Sequence, residues 1–252
     1  MTLSNDEKNY YTKNIRLGSI NKDGQEKLKD AKVLVLGAGG LGCPALLYLA
    51  TFGVGNIGIV DFDIVSVSNL HRQILYTYSD IGKSKACIAA KRIKEINPFI
   101  NVRYYNVRIN NENIYELIDE YDIILDSPDN FETRYIIEKA CCLKHKIIVH
   151  GSVSRFQGQV SVFTPKSACY NCIFPNNPSK NDVKENMENK IFGPVTGIIG
   201  TIQAMECVKM ILGIGDPLIN KLLCYNALNQ SINLIKIEKN PDCSVCGGKD
   251  DR

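Results

Sequence analysis

Several absences narrow the class of this chain before any motif is read. Charge of one sign is absent: 30 lysines and arginines against 27 acidic residues leave a formal net charge of +3. That balance lacks the concentrated basic footprint of a nucleic-acid binder. No export signal is visible, because MTLSNDEKNYYTKN at residues 1–14 is polar and mixed in charge where a secretory peptide carries an apolar stretch. No membrane span is expected either. The uncharged run from Val33 to Val60 is cut by glycines at 37, 39, 40, 42, 53, 55 and 58, so it reads as strand, turn, helix and strand. There is no internal repeat, and the only histidines, His71, His145 and His150, lack ligand spacing and are assigned no chemistry. A cytoplasmic location follows as the expectation. The ten cysteines then sit in a reducing compartment, where metal ligation or core packing is expected and a disulfide framework is not.

What is present has the rhythm of an α/β protein. With 252 residues and 44% apolar content the chain can bury one large core. KVLVLG (32–37) is a short β-rich run ending in glycine, LGCPALLYLATFG has helical spacing, and NIGIVDFD reads as a second buried strand. KSKACIAAKRIKEIN (83–97) carries a helical apolar stripe that stops before Pro98, and a strand is expected over 101–109. Helix, strand, helix and strand then follow through NIYELIDEY, DIILD, ETRYIIEKACCLKH and KIIVHGSV. Such alternation predicts a Rossmann-like, doubly wound, mostly parallel sheet with ligands at the carboxyl ends of its strands. After about residue 155 the pattern changes to hairpin-like strands, GQVSVFT and KLLCYNALNQSINLIKIEK, which extend the sheet antiparallel. A helix from about Thr196 to Leu212 lies between them, and the polar segment 176–190 is expected to be an exposed mobile loop.

The chemistry lies in the order of the motifs. GAGGLG at Gly37–Gly42 sits between strand and helix, so the backbone at Gly37, Gly39 and Gly40 can approach phosphates at a helix N-terminus. Asp61 ends the second strand, where a carboxylate can accept from ribose hydroxyls, and Asp63 follows it. This much fits an NAD-dependent oxidoreductase equally well. Asn69, Arg72 and Gln73 in SNLHRQ and then Lys85 add two cations and two amides, and in isolation the cations could be a solvated surface pair. A dinucleotide pyrophosphate is held mainly by backbone amides, whereas transfer at a triphosphate needs side-chain cations for developing charge. Asp129, just past DIILD, can hold Mg²⁺ through one carboxylate and substrate phosphates. CYNC and CSVC place Cys169, Cys172, Cys243 and Cys246 at the spacing of a closed, structural Cys₄ zinc site that pins the C-terminal region back onto the segment after the nucleotide half. The other six cysteines read as core.

In this order the motifs resemble the ThiF/MoeB/HesA family, bacterial relatives of the ubiquitin-activating enzymes, across residues 8–248. The resemblance implies ATP- and Mg²⁺-dependent adenylation of the C-terminal glycine carboxylate of a small ubiquitin-like sulfur-carrier protein ending in Gly-Gly, with release of pyrophosphate. It implies one adenylation domain over 1–252: an N-terminal helical segment (1–30), a nucleotide-binding half (31–155) and a carrier-binding half with the zinc clamp (156–248). It places Gly40 against the phosphates, Asp61 on the ribose, and Asn69, Arg72, Gln73 and Lys85 on the triphosphate. Asp129 would hold Mg²⁺, Asn130 would lie beside the nucleotide, and the carrier tail would thread under the 176–190 loop. Arg72 and Lys85 would stabilise the transition state; the carboxylate nucleophile is already ionised and needs no base.

The chain departs from the family pattern twice. The position of the family's cysteine, counted back from GPVTGIIG, holds Asn186, and no cysteine lies between Cys172 and Cys207. The expectation is adenylation without a thioester, with the acyl-adenylate passed to a separate sulfur donor or nucleophile. Where the family has an arginine that enters the partner subunit's ATP site of a homodimer, this chain has Lys13, a point charge without the bidentate fork. Competing readings are adenylation of a peptide carboxylate for peptide modification, and a non-catalytic scaffold that binds nucleotide or carrier.

Overall fold

The computed structural model describes residues 1–175 and 191–247. The 176–190 segment, with Asn186, lies outside them. Strands β1 (Lys32–Leu36), β2 (Asn56–Val60), β3 (Asn101–Tyr105), β4 (Ile123–Asp126) and β5 (Ile147–Ser154) form a parallel block in the order β3-β2-β1-β4-β5. The antiparallel strands β6 (Gln157–Phe163), β7 (Lys221–Asn226) and β8 (Ser231–Lys236) continue the same eight-stranded sheet.

The near-continuous Val/Ile/Leu runs of β1 and β4 are what a strand covered on both faces requires. Alternation along β1 sorts the core into two layers. Val33 and Val35 face helices α4 (Gly42–Phe52), α5 (Lys85–Ile96) and α9 (Gly193–Leu212), meeting Leu46, Leu49, Ile93 and Ile199. Leu34 and Leu36 face α6 (Ile114–Asp119) and α7 (Phe131–Leu143), meeting Ile118 and Ile137. Short helices α1 (Asn5–Tyr10), α2 (Thr12–Ile15) and α3 (Asn21–Asp30) precede the sheet, and α8 (Tyr170–Ile173) follows β6.

Two boundaries differ from the sequence reading. The strand expected over 101–109 stops at Tyr105 because β2, its only neighbour among the described residues, ends at Val60, the register partner of Tyr105. Residues 107–109 instead line a cavity at the strand ends. Helix α9 begins at Gly193, three residues before the expected Thr196, with Pro194 in its first turn, where a missing N–H costs nothing. By length and composition α9 matches a membrane span, yet half of that stretch is buried, packed on α4, β5 and β6.

The turn between β1 and α4 depends on close backbone approach. Gly37 sits at φ +99°, and a Cβ on it would lie 2.8 Å from the Ser127 carbonyl oxygen; a Cβ on Gly42 would lie 1.9 Å from the carbonyl oxygen of Gly37. Gly42→Ala should therefore open the turn and destabilise the protein by about 2–3 kcal/mol. Chemical denaturation checks this, and an unchanged midpoint would show that the turn relaxes freely.

Candidate active site

One cavity of about 690 Å³ runs along the carboxyl ends of β1, β2, β4 and β5 and the amino end of the antiparallel β6. The sheet order places it at the switch between β1 and β4, where helices leave on opposite faces and a crevice must open. Of the residues singled out from sequence, Gly37, Gly39, Gly40, Asp61, Asp63, Arg72, Gln73, Lys85, Asp129 and Asn130 line it. Asn69 and Lys13 do not line the cavity of their own chain. The Asn69 carbonyl accepts the amides of Arg72 and Gln73 at 3.1 and 3.0 Å, which orients those two residues, and Lys13 is exposed on α2.

Asp61 ties the glycine turn to β2. Its carboxylate accepts the Ala38 amide at 2.8 Å and the Asp63 amide at 2.9 Å. Burial pushes this carboxyl above its ordinary range, against those two amides and the Lys85 charge. A carboxylate has about four lone-pair sites, so acceptor capacity remains for hydroxyls. Lys85 opens α5, is only 5% exposed and pairs with Asp63 at 3.0 Å, which places it as a buried cation on the cavity wall and not as a surface charge. Arg72 is half-buried, and its guanidinium donates to the Ser68 carbonyl at 3.2 Å and to His71 Nε2 at 2.7 Å. Among the described residues, buried Gln73 has no partner for its Oε1. The turn, the N-terminus of α4 and two side-chain cations together could cradle phosphates.

Asp129 is exposed at the rim, 3.4 Å from the Asn130 amide nitrogen. An exposed carboxylate at this place could hold Mg²⁺, which prefers few protein ligands and retains water. Asn130 also caps α7, accepting the Thr133 amide at 2.9 Å, a local role its place before ETRY did not reveal.

Sequence reasoning missed a buried polar cluster. Asp126 and His150 are register partners on β4 and β5, with His150 Nδ1 2.7 Å from an Asp126 oxygen. Arg134 of α7 lies 3.3 Å from the same oxygen and donates to the carbonyls of Pro128 and Gly151 at 2.9 and 3.3 Å. Burial and the Arg134 charge hold the His150 pKa below its usual value, although Asp126 opposes them. The matching patterns Ile-Ile-Leu-Asp and Ile-Ile-Val-His, each three apolar residues followed by a polar one, are the signal that could have found the pair.

The four cysteines converge. Cys169, the N-cap of α8, lies 3.8 Å from Cys172 and 3.6 Å from Cys243 through sulfur, and Cys172 lies 3.4 Å from Cys246. All four sulfurs fall within 4.8 Å of one another. Zn–S bonds of about 2.3 Å in a tetrahedron give S···S edges of about 3.8 Å, so this donor set fits zinc. Burial raises the Cys243 thiol, but the amides of Cys246 and Val245 and the Asn171 side chain outweigh it and hold the thiol down at about 6. A thiolate is the form a metal binds. Between the first two cysteines, Tyr170 lines the cavity, and its amide donates to Glu138 at 2.5 Å.

The chain matches the ThiF family over residues 11–245. It is 42% identical to the sulfur carrier protein adenylyltransferase of Thermus thermophilus, covering 98% of this chain and 93% of that one. It is 47% identical to a probable molybdopterin-synthase adenylyltransferase of Porphyra purpurea, covering 94% of this chain but only 62% of that longer relative. E. coli MccB, crystallised with AMPCPP and MccA, superposes with a TM-score of 0.85 at 28% identity, over 96% of this chain and 75% of MccB. Motif order, the crevice at the switch point and these likenesses agree: the chain belongs to the ThiF family.

Proposed function

We propose that this chain adenylates the C-terminal carboxylate of a small ubiquitin-like sulfur carrier ending in Gly-Gly, using ATP and Mg²⁺ and releasing pyrophosphate. One observation carries the reading: a single cavity joins a phosphate cradle with Lys85 and Arg72 on its wall to a second half, lined by β5 and β6, that a nucleotide alone does not need. Asp61 would take the ribose hydroxyls, Asp129 the Mg²⁺, and Arg72 and Lys85 the charge that develops as the α-phosphate is attacked. The Thermus relative is named a sulfur carrier protein adenylyltransferase and is covered almost entirely, which supports the reading. The Cys₄ cluster would hold a structural zinc.

No thioester step is included, since Asn186 stands at the family's cysteine position and, among the described residues, no cysteine lines the cavity; Cys43 and Cys207 are also fully buried, which pushes their thiols well up and makes them poor nucleophiles. A separate sulfur donor would receive the acyl group. A cytoplasmic homodimer would let Lys13 of each subunit serve the other's site. The test is ATP–pyrophosphate exchange with a panel of Gly-Gly carriers. Exchange with one carrier, reduced about 100-fold or more by Asp129→Ala, is the expected result. Silence with every carrier, from folded protein, would move the assignment to adenylation of a peptide carboxylate, which the missing cysteine also suits.

A further inference from the structure

The β5–β6 half of the cavity contains a buried imidazole prepared as an acceptor. His150 is 1% exposed and lines the cavity, and its Nε2 has no hydrogen-bond partner among the described residues. Its Nδ1 faces Asp126 at 2.7 Å, which holds the proton on that nitrogen and leaves the Nε2 lone pair free. The ring is fixed on its other sides, 5.1 Å from the Tyr170 ring and 6.0 Å from that of Phe163. An unsatisfied buried acceptor is costly. One held this rigidly on a cavity wall calls for a donor from a ligand.

The sheet order shows which ligand. Asp61 follows β2, and His150 is the β5 residue level with Asp126 at the end of β4, with β1 and β4 between the two, about 14 Å apart at about 4.8 Å per strand. A nucleotide with its ribose at Asp61 and its phosphates at the β1–α4 turn ends near β4. His150 lies one strand beyond, where the second substrate must enter. That substrate is an extended peptide whose donors are backbone N–H groups. One strand spacing is little more than the roughly 3.4 Å that an extended residue spans, so a carboxylate placed at the end of β4 sets the last one or two peptide N–H groups over β5.

We propose that His150 Nε2 accepts a backbone N–H from the last two residues of the incoming tail and so positions its carboxylate for attack. This rests on the adenylation reading, and its test also works without turnover. Two probes are needed: a synthetic decapeptide ending in Gly-Gly, and versions in which an ester replaces each of the last two amides in turn. Both are titrated into ¹⁵N-histidine-labelled protein holding AMPCPP and Mg²⁺, with the His150 signal assigned by its loss in His150→Asn. Asparagine can still donate to Asp126 but lacks the distal nitrogen, and an unchanged melting temperature shows that it folds.

The amide peptide should move the His150 Nε2 resonance, and one of the two esters should not. That ester should bind about 10-fold more weakly than the amide to the wild type and no more weakly to His150→Asn. Equal penalties in both proteins, or an Nε2 resonance that ignores the amide peptide, would overturn the proposal. Absent exchange with every carrier would fault the adenylation reading alone. Where exchange is found, His150→Asn should raise KM for the carrier about 10-fold, with kcat and KM for MgATP unchanged.

Discussion

Lys85→Met is expected to lower carrier-dependent ATP–pyrophosphate exchange by about a thousandfold while leaving the fold in place. The magnitude follows from the setting of the ammonium group. It is buried, lines the cavity beside the glycine turn, pairs with Asp63 at 3.0 Å and also acts on the Asp61 carboxylate through its charge. A cation on a water-poor wall stabilises charge on phosphate oxygens far more than a solvated one does. It is also fixed before the reaction begins, so no reorganisation opposes it. Methionine preserves the apolar stem that packs at the start of α5. The carboxylate it leaves behind is 46% exposed at the side chain and stays hydrated, so the stability change should remain within about 1 kcal/mol. Lys85→Arg should rescue little, because a planar fork cannot replace a point charge in that space. If the loss falls on kcat with KM for MgATP nearly constant, Lys85 acts on the transition state. A variant that retains a tenth of wild-type exchange would assign the lysine to holding Asp63.

The nucleotide half of the site was legible because its parts are local in sequence. A strand, a glycine turn and a helix occupy 32–52, and DFD, SNLHRQ and Lys85 follow within one further strand and loop, so spacing alone gathers them. The Asp126, Arg134 and His150 cluster was not legible, since its members come from three elements and meet only through the β4–β5 register and the packing of α7. Spacing along the chain gives His150 no chemistry, because its partner Asp126 lies across a strand pair. The paired CxxC motifs are distant in sequence yet could be read, because zinc geometry imposes the same short spacing wherever the halves originate. The end of β3 could not be read, because edge pairing is set by the length of β2 and not by the residues at 106–109.

That same zinc geometry supports the second large effect. Removing the metal by chelation, or replacing Cys243 with serine, should lower stability by at least about 3 kcal/mol, or roughly 10 °C in melting temperature for a chain of this size. The damage should be unequal. Cys169 and Cys172 bracket Tyr170, whose ring meets His150 at 5.1 Å, Phe174 at 4.9 Å and the Arg134 guanidinium at 5.7 Å. Loss of the clamp therefore loosens the β5–β6 half of the cavity, while the β1–α4 turn, tied to Asp61 by the Ala38 amide, has no contact with the cysteines through which to follow it. Metal-free protein held below its melting temperature should bind AMPCPP within a few-fold of the zinc form yet fail in carrier-dependent exchange. Hydrogen exchange should rise at residues 147–174 and remain unchanged at 32–52. Zinc below one equivalent in freshly purified protein, or a Cys243→Ser protein that melts with the wild type, would remove the clamp from this account. Equal loss of nucleotide and carrier binding would show instead that the two halves of the cavity fold as one unit.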